Sequence, residues 1–247
     1  MIFFIHNDIG NELINFIIDK YPNDIDIIFY KKKNLALKKR LEKKIPLSNY
    51  ILWKDKDEKI NIDRIKSKNS KLIFLLWWPR IISKKLIDSV SYGCINIHPS
   101  YLPYFKGKDP NFWSIISGGP FGVSIHYVNE KIDNGPIIFR EKIRNFKYEN
   151  NAEDLYVLNK KKLIELFKKK YKILRNTNRK ISTIKNPSTK VNYRSDMLRK
   201  TRISLKKSYT AQNLLNLLRA KTFKGFRGIT FKKNKSTYEA KVYIKKI

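Results

Sequence analysis

KLIFLLWW, residues 71–78, is the stretch on which the fold turns. It is apolar almost throughout and far shorter than the roughly 20 residues a membrane-spanning helix needs. It does not alternate, as a half-buried strand would. A short continuous run of this kind suits a central parallel strand covered on both faces. Toward the N-terminus, MIFFI (1–5) and DIIFY (26–30) read as further buried strands, and NELINFIIDKY (11–21) between them has helical periodicity. LALKKRLEKK (35–44) and IDRIKSKN (62–69) predict helices. Toward the C-terminus, SKKLIDSV (83–90) opens on Ser83, a helix-capping residue type, and CINIH (94–98) is another short buried strand. Strands alternating with short helices predict an α/β fold with a doubly wound, mainly parallel sheet.

The rest of the chain extends this pattern. NFWSIIS (111–117) predicts a helix. GVSIHYV (122–128) and GPIIFREKI (135–143) predict strands joined by NEKIDN (129–134). A long basic helix follows at about 152–174, and NPSTKV (186–191) reads as a linker. Beyond it, TAQNLLNLLRA (210–220) predicts a helix, and FRGITFK (226–232) and STYEAKVYI (236–244) predict two strands. The expected organisation is a core over residues 1–185 and a small helix-plus-β-hairpin extension over 186–247. No internal repeat is present.

Composition narrows the class. The chain has 247 residues, 42% hydrophobic and 13% aromatic, enough for a substantial core. Its single cysteine, Cys94, excludes an internal disulfide framework and suits a reducing compartment. MIFFIHND has neither a basic n-region nor a cleavage site, so a cytoplasmic protein without a membrane span is expected. The formal net charge is +33. That reads as attraction for an anionic partner, or as the lysine-, asparagine- and isoleucine-rich drift of an AT-rich genome.

No Gly-x-Gly-x-x-Gly follows the first strand, only Gly10, so a dinucleotide cofactor is not supported. Ligands of doubly wound sheets bind beyond the carboxyl ends of strands. WWPR (77–80) and NIHPS (96–100) both fall there. Asn96 and His98, two apart on a strand, face the same side. An amide donor beside a titratable nitrogen suits a reaction that develops an oxyanion and releases a proton, and it also suits a structural polar pair at a strand end. His98 has no second ligand at a metal-site spacing, so no metal is expected. Ser100 lacks the Gly-x-Ser-x-Gly context of a hydrolase. Asp133, in IDNG, is a possible site carboxylate and equally a turn residue, since Asn134-Gly135 is a strong turn signal.

The longer pattern carries more. Gly93, Asn96, His98, Pro99, Ser100, Leu102, Pro103, Gly107, Pro110 and Trp113, then Gly118, then GVSIH (122–126), then Asp133 with GPII (135–138), resembles the signature of folate-dependent formyltransferases. The match is dense over residues 93–138. It implies a formyltransferase-type, Rossmann-like core, the cosubstrate 10-formyltetrahydrofolate, and a catalytic set of Asn96, His98 and Asp133. It places the folate beside Trp77, Trp78, Pro79, Arg80 and Ile81 and beside Ile132 and Asp133. His126 reads as support for the site.

Three acceptor classes compete. Methionyl-tRNA formyltransferases carry a large C-terminal domain, for which the tail here is short. Glycinamide ribonucleotide formyltransferases usually carry Asn-Ala-His where this chain has Lys108-Asp109-Pro110. Pro110 and Trp113, with NYRSDMLRK (192–200) and LLNLLRAKTF (214–223), look more like the sugar N-formyltransferases. That resemblance implies a homodimer acting on a nucleotide-linked amino sugar, such as a dTDP-4-amino-4,6-dideoxyhexose, in surface polysaccharide (O-antigen) biosynthesis. Lys106, Pro110, Arg219 and Phe223 would meet the acceptor, with Lys106 and Arg219 as cations for its diphosphate. Lys224, where a proline often follows the phenylalanine, departs from the family pattern. An inactive formyltransferase-like protein that binds nucleic acid through its charge is the reading from another class. The intact triad argues against it.

Overall fold

A computed structural model describes residues 1–178 and 181–247, and all statements of structure refer to these. In chain order the strands are β1 (Ile2–Ile5), β2 (Ile27–Tyr30), β3 (Tyr50–Leu52), β4 (Ile73–Leu76), β5 (Cys94–His98), β6 (Lys106–Gly107), β7 (Gly122–Tyr127), β8 (Ile137–Lys142), β9 (Val191–Asn192), β10 (Arg202–Ile203), β11 (Ile229–Lys233) and β12 (Ser236–Ala240). The helices are α1 (Asn7–Lys20), α2 (Leu35–Leu41), α3 (Glu58–Ser67), α4 (Lys84–Ile87), α5 (Pro110–Ser117), α6 (Ala152–Leu174), α7 (Arg194–Lys200) and α8 (Ala211–Lys221). The chain divides into two compact units, Met1–His98 with Ser124–Phe139 and Leu163–Asn186, and Pro99–Val123 with Arg140–Lys162 and Pro187–Ile247.

The main sheet runs β3-β2-β1-β4-β5-β7-β8. Its first five strands are parallel, and β7 pairs antiparallel with β5. All four residues of β4 are buried, as a strand covered on both faces requires. Alternation sends neighbouring side chains to opposite faces. Phe3 and Phe74 stack 5.4 Å apart on one face, where Phe74 meets Phe167 and Tyr171 of α6. Phe4, Phe29 and Trp53 cluster on the other, with Ile62 and Ile65 of α3 and Leu86 of α4. Helix α1 buries Ile9, Leu13, Ile14, Ile17 and Ile18, the spacing of one helical stripe. Gly10 lets α1 come close to the sheet, since a Cβ there would stand 2.7 Å from the Leu76 carbonyl oxygen. The strand order reverses between β1 and β4, which marks the carboxyl edge beside β4 as the ligand crevice of such sheets.

The second unit contains α5 and α8 packed together, the parallel pair β6–β9, and a three-stranded sheet in the order β10-β11-β12. The β11–β12 hairpin and α8, capped by Thr210, are as expected from the sequence.

Three expectations differ. Helix α3 begins at Glu58 rather than near Ile62. Strand β3 went unread, because three residues at a sheet edge leave no periodicity to see. The stretch 186–191 is not a linker. Asn186 is buried, and Val191 pairs with Lys106 in β9–β6, so long-range backbone bonding overrides the loop-like composition.

Candidate active site

Strand β5 presents Asn96 and His98 on one face, and β7 runs antiparallel beside it with Asn96 opposite His126. His126 is 1% exposed. Its Nδ1 lies 2.6 Å from the Tyr127 carbonyl oxygen, which accepts only, so Nδ1 carries the proton. In the neutral ring Nε2 is then an acceptor, and Asn96 Nδ2 donates to it at 3.2 Å. This fixes the Asn96 amide with its nitrogen toward His126. A second N–H remains on that nitrogen for a substrate oxygen.

Asp133 sits in the β7–β8 connection with φ 47°, a left-handed conformation that aspartate tolerates better than most residues. Its Oδ2 lies 3.5 Å from His98 Nδ1 and its Oδ1 3.7 Å from His126 Nε2. At these separations the contacts are longer than good hydrogen bonds, and catalytic contacts commonly tighten in the reacting complex. His98 is 6% exposed, and its Nε2 is buried without a hydrogen-bond partner among the described residues. One ring nitrogen therefore faces a carboxylate while the other has no polar partner among the described residues. The arrangement offers a donor, a proton carrier and an anion at the carboxyl end of β5. The structure thus brings together Asn96, His98 and Asp133, 37 positions apart from first to last, as the sequence pattern expects.

Strand β4 ends at Leu76, and Trp77 turns the chain with φ 65°. That conformation is costly for a bulky side chain, and such outliers gather at ligand sites. Trp78 packs edge-on against Phe4 at 5.0 Å, with Lys31 Nζ 5.9 Å from its ring. Pro79, Arg80 and Ile81 are exposed, and Ile132 is half-buried. The Arg80 guanidinium pairs with Asp55 at 3.0 Å. Asp55 also accepts from Lys31, whose hydrogen bond is the main cause holding its carboxyl below the usual range. Cys94 is fully buried, and burial pushes its thiol up to about 12, so it is no thiolate nucleophile.

Two proposed acceptor contacts are placed otherwise than expected. Lys106 is fully buried and its Nζ donates to the Pro187 carbonyl oxygen at 2.8 Å, because residues 187–192 return alongside β6 and enclose it. Arg219 does not reach past α8. It is 6% exposed, lies over the Tyr148 ring at 4.5 Å, and donates to the carbonyl oxygens of Tyr148 and Asn150. Pro110 opens α5 directly after Asp109, and Phe223 packs against Tyr156 and Phe226. Among residues the sequence did not single out, Asn186 donates to the carbonyl oxygens of Asp133 and Gly135. No motif or period marks it, since it lies far along the chain from both.

The sheet and the stretch that carries Asn96, His98 and Asp133 fall within one matched family pattern, which defines the class of protein. The chain belongs to the formyl transferase family, whose pattern its residues 19–167 match, and residues 196–246 match the N-formyltransferase dimerization C-terminal domain. A solved 4-N formyltransferase from Francisella tularensis is 28% identical with a TM-score of 0.74, covering 100% of this chain and 98% of that one. An N-formyltransferase from Helicobacter canadensis, solved with folinic acid and dTDP-3-aminofucose, is 20% identical with a TM-score of 0.67, covering 95% and 84%, and bears on the fold alone. A curated relative, a methionyl-tRNA formyltransferase of Agathobacter rectalis, is 35% identical over 88 residues, which is 35% of this chain and 28% of that protein. The chain thus matches less than a third of that relative's length.

Proposed function

We propose that this chain transfers the formyl group of 10-formyltetrahydrofolate to the amino group of a nucleotide-linked amino sugar, of the dTDP-4-amino-4,6-dideoxyhexose class, for surface polysaccharide synthesis. The observation that carries the reading is the meeting of Asn96, His98 and Asp133, with His98 Nε2 buried and unpartnered among the described residues. The end-to-end likeness to a 4-N formyltransferase supports formyl transfer to a nitrogen. The Helicobacter canadensis protein of the same fold was solved with folinic acid and dTDP-3-aminofucose, the two ligand classes proposed for this chain.

The residues fit a folate. An orphaned imidazole nitrogen, a left-handed tryptophan and exposed apolar surface at Ile81 all lie at the carboxyl edge of one sheet. Trp77, Trp78, Pro79, Arg80, Ile81 and Ile132 would hold the cosubstrate, which supplies an activated formyl group. Asn96 donates its second N–H to the formyl oxygen as negative charge grows there, the kind of donor worth about 10²–10³ in rate. His98 takes the proton that the acceptor nitrogen loses on becoming an amide. It then delivers that proton to the nitrogen of the departing folate, which balances the exchange of one C–N bond for another. Asp133 faces His98 Nδ1 and stabilises the charge the ring gains. The C-terminal segment, with Phe223 and Pro110, holds the nucleotide, and the chain works as a homodimer.

A turnover screen tests this. 10-Formyltetrahydrofolate is supplied with thymidine- and uridine-diphosphate amino sugars, glycinamide ribonucleotide or initiator tRNA. Formylation of a nucleotide amino sugar well above the others is expected. Preference for initiator tRNA would establish the reading that the curated relatives favour over their matched segment. Nucleic-acid binding confined to low salt, with no turnover of any acceptor, would show a binding protein instead.

A further inference from the structure

We infer that Asn186 is a positioning residue for the reaction: its side-chain amide sets the turn that carries Asp133. The inference rests on the formyl-transfer reading above. Asn186 Nδ2 donates to the Asp133 carbonyl oxygen at 3.0 Å and to the Gly135 carbonyl oxygen at 2.8 Å. Both acceptors are backbone carbonyls, so the orientation of the amide is not in question: a flip would set Oδ1 against two oxygens. Asn186 is 8% exposed, and its Oδ1 is buried without a hydrogen-bond partner among the described residues. Burying an amide oxygen unpaired is costly. The cost is accepted where the donor side of the same group is needed.

The surroundings hold Asn186 in place to do this. Two residues earlier, Ile184 forms an antiparallel bridge with Ile137 at the start of β8, with backbone bonds of 2.7 and 2.9 Å. The incoming segment is thereby registered against the far end of the turn. On the near side, Asn134 N bonds to the Lys131 carbonyl oxygen, and Asp133 takes its left-handed φ. The bond to the carbonyl of residue 133 fixes the 133–134 peptide plane, and the bond to that of residue 135 fixes the 135–136 plane, one on each side of the Asn134–Gly135 peptide. The first of these sets ψ of Asp133 and so the direction in which its side chain leaves the backbone. That direction places Oδ2 3.5 Å from His98 Nδ1 and Oδ1 3.7 Å from His126 Nε2. A carboxylate facing two imidazoles tolerates little displacement, because small misplacements of a reacting constellation can cost about 10²-fold in rate.

The test compares wild type with Asn186→Ser, which keeps one donor, and Asn186→Asp, which keeps the shape but turns both donors into acceptors. Steady-state kinetics are measured with 10-formyltetrahydrofolate and the acceptor selected by the turnover screen, and amide hydrogen exchange is followed over residues 131–135. For Asn186→Asp, kcat should fall about thirty-fold or more, with both KM values within about three-fold of wild type and exchange faster at 131–135 than in β1 or β4. Asn186→Ser should fall in between, which keeps the test decisive if the aspartate variant folds poorly. A kcat within two-fold of wild type in both variants would overturn the inference, as would an activity loss accompanied by uniformly faster exchange. If the wild-type protein turns over none of the acceptors, it is the formyl-transfer reading that fails. Exchange then decides alone whether Asn186 sets the turn: acceleration confined to 131–135 supports it, and unchanged exchange overturns it.

Discussion

At the scale of single residues, Asn96 and His98 were legible because a strand's period puts i and i+2 on one face wherever the strand lies. Asn96→Ala and His98→Ala should each lower formyl transfer by about two orders of magnitude with the fold intact, as measured by kcat against far-UV circular dichroism. Near-normal turnover in either would remove that residue from the mechanism. Lys106 was not legible, because the carbonyl that takes up its ammonium belongs to Pro187, 81 positions away. Asp109 shows a similar dependence on distant sequence. It precedes α5 with φ 58° and pairs with Arg194 at 2.7 Å, yet burial raises its carboxyl above the usual 3.8 despite that cation. With the folded value raised, the native state keeps a proton that the unfolded chain has already lost. Stability therefore falls as pH rises from 3.8 through the folded value. Asp109→Asn should have the higher thermal midpoint at neutral pH, with the gap closing as pH falls toward 3.8. A lower midpoint at neutral pH would mean that the Arg194 pair outweighs the burial.

At the scale of elements, hydrophobic period located the strands and helices of the main sheet other than β3, and a capping residue located the start at Ser83. What period could not show is what a connection does once folded. Asn134-Gly135 announces a turn, yet the left-handed residue is Asp133, and Gly135 is needed for a different reason. A Cβ on Gly135 would stand 1.8 Å from the Tyr127 carbonyl oxygen. Gly135→Ala should therefore shift the β7–β8 connection and cost about 1–3 kcal/mol in chemical denaturation, together with activity. Full activity at wild-type stability would show that the connection can yield. On α8, the resemblance to sugar N-formyltransferases implied Arg219 as a cation for the acceptor's diphosphate. The structure uses it inward, on the carbonyls of Tyr148 and Asn150. Arg219→Ala should cost about 2–4 kcal/mol through those unpaired carbonyls, which a urea titration would register. A change only in acceptor KM, with stability unaltered, would restore the phosphate-binding role.

At the scale of the whole molecule, the net charge of +33 bears on association and solubility rather than on fold. The segment that matches the dimerization domain holds exposed apolar residues, among them Phe226 at 55% and Tyr243 at 86% exposure, and the homodimer proposed above would bury them. Wild type should sediment at twice the chain's mass, and the double variant Phe226→Asp, Tyr243→Asp should sediment as a monomer. A dimer that survives both charges would move the interface elsewhere.

The sequence by itself determined the doubly wound class, most strand positions, and the asparagine–histidine pair. Each of these follows from spacing along one element, where neighbouring residues impose the geometry. Only the tertiary structure decided that Asp133 meets His98, that Lys106 and Arg219 turn inward, and that residues 186–192 are part of the fold. Those outcomes depend on which distant carbonyls and carboxylates a donor meets once the chain has packed. That is a property of paths through space, which no local period records.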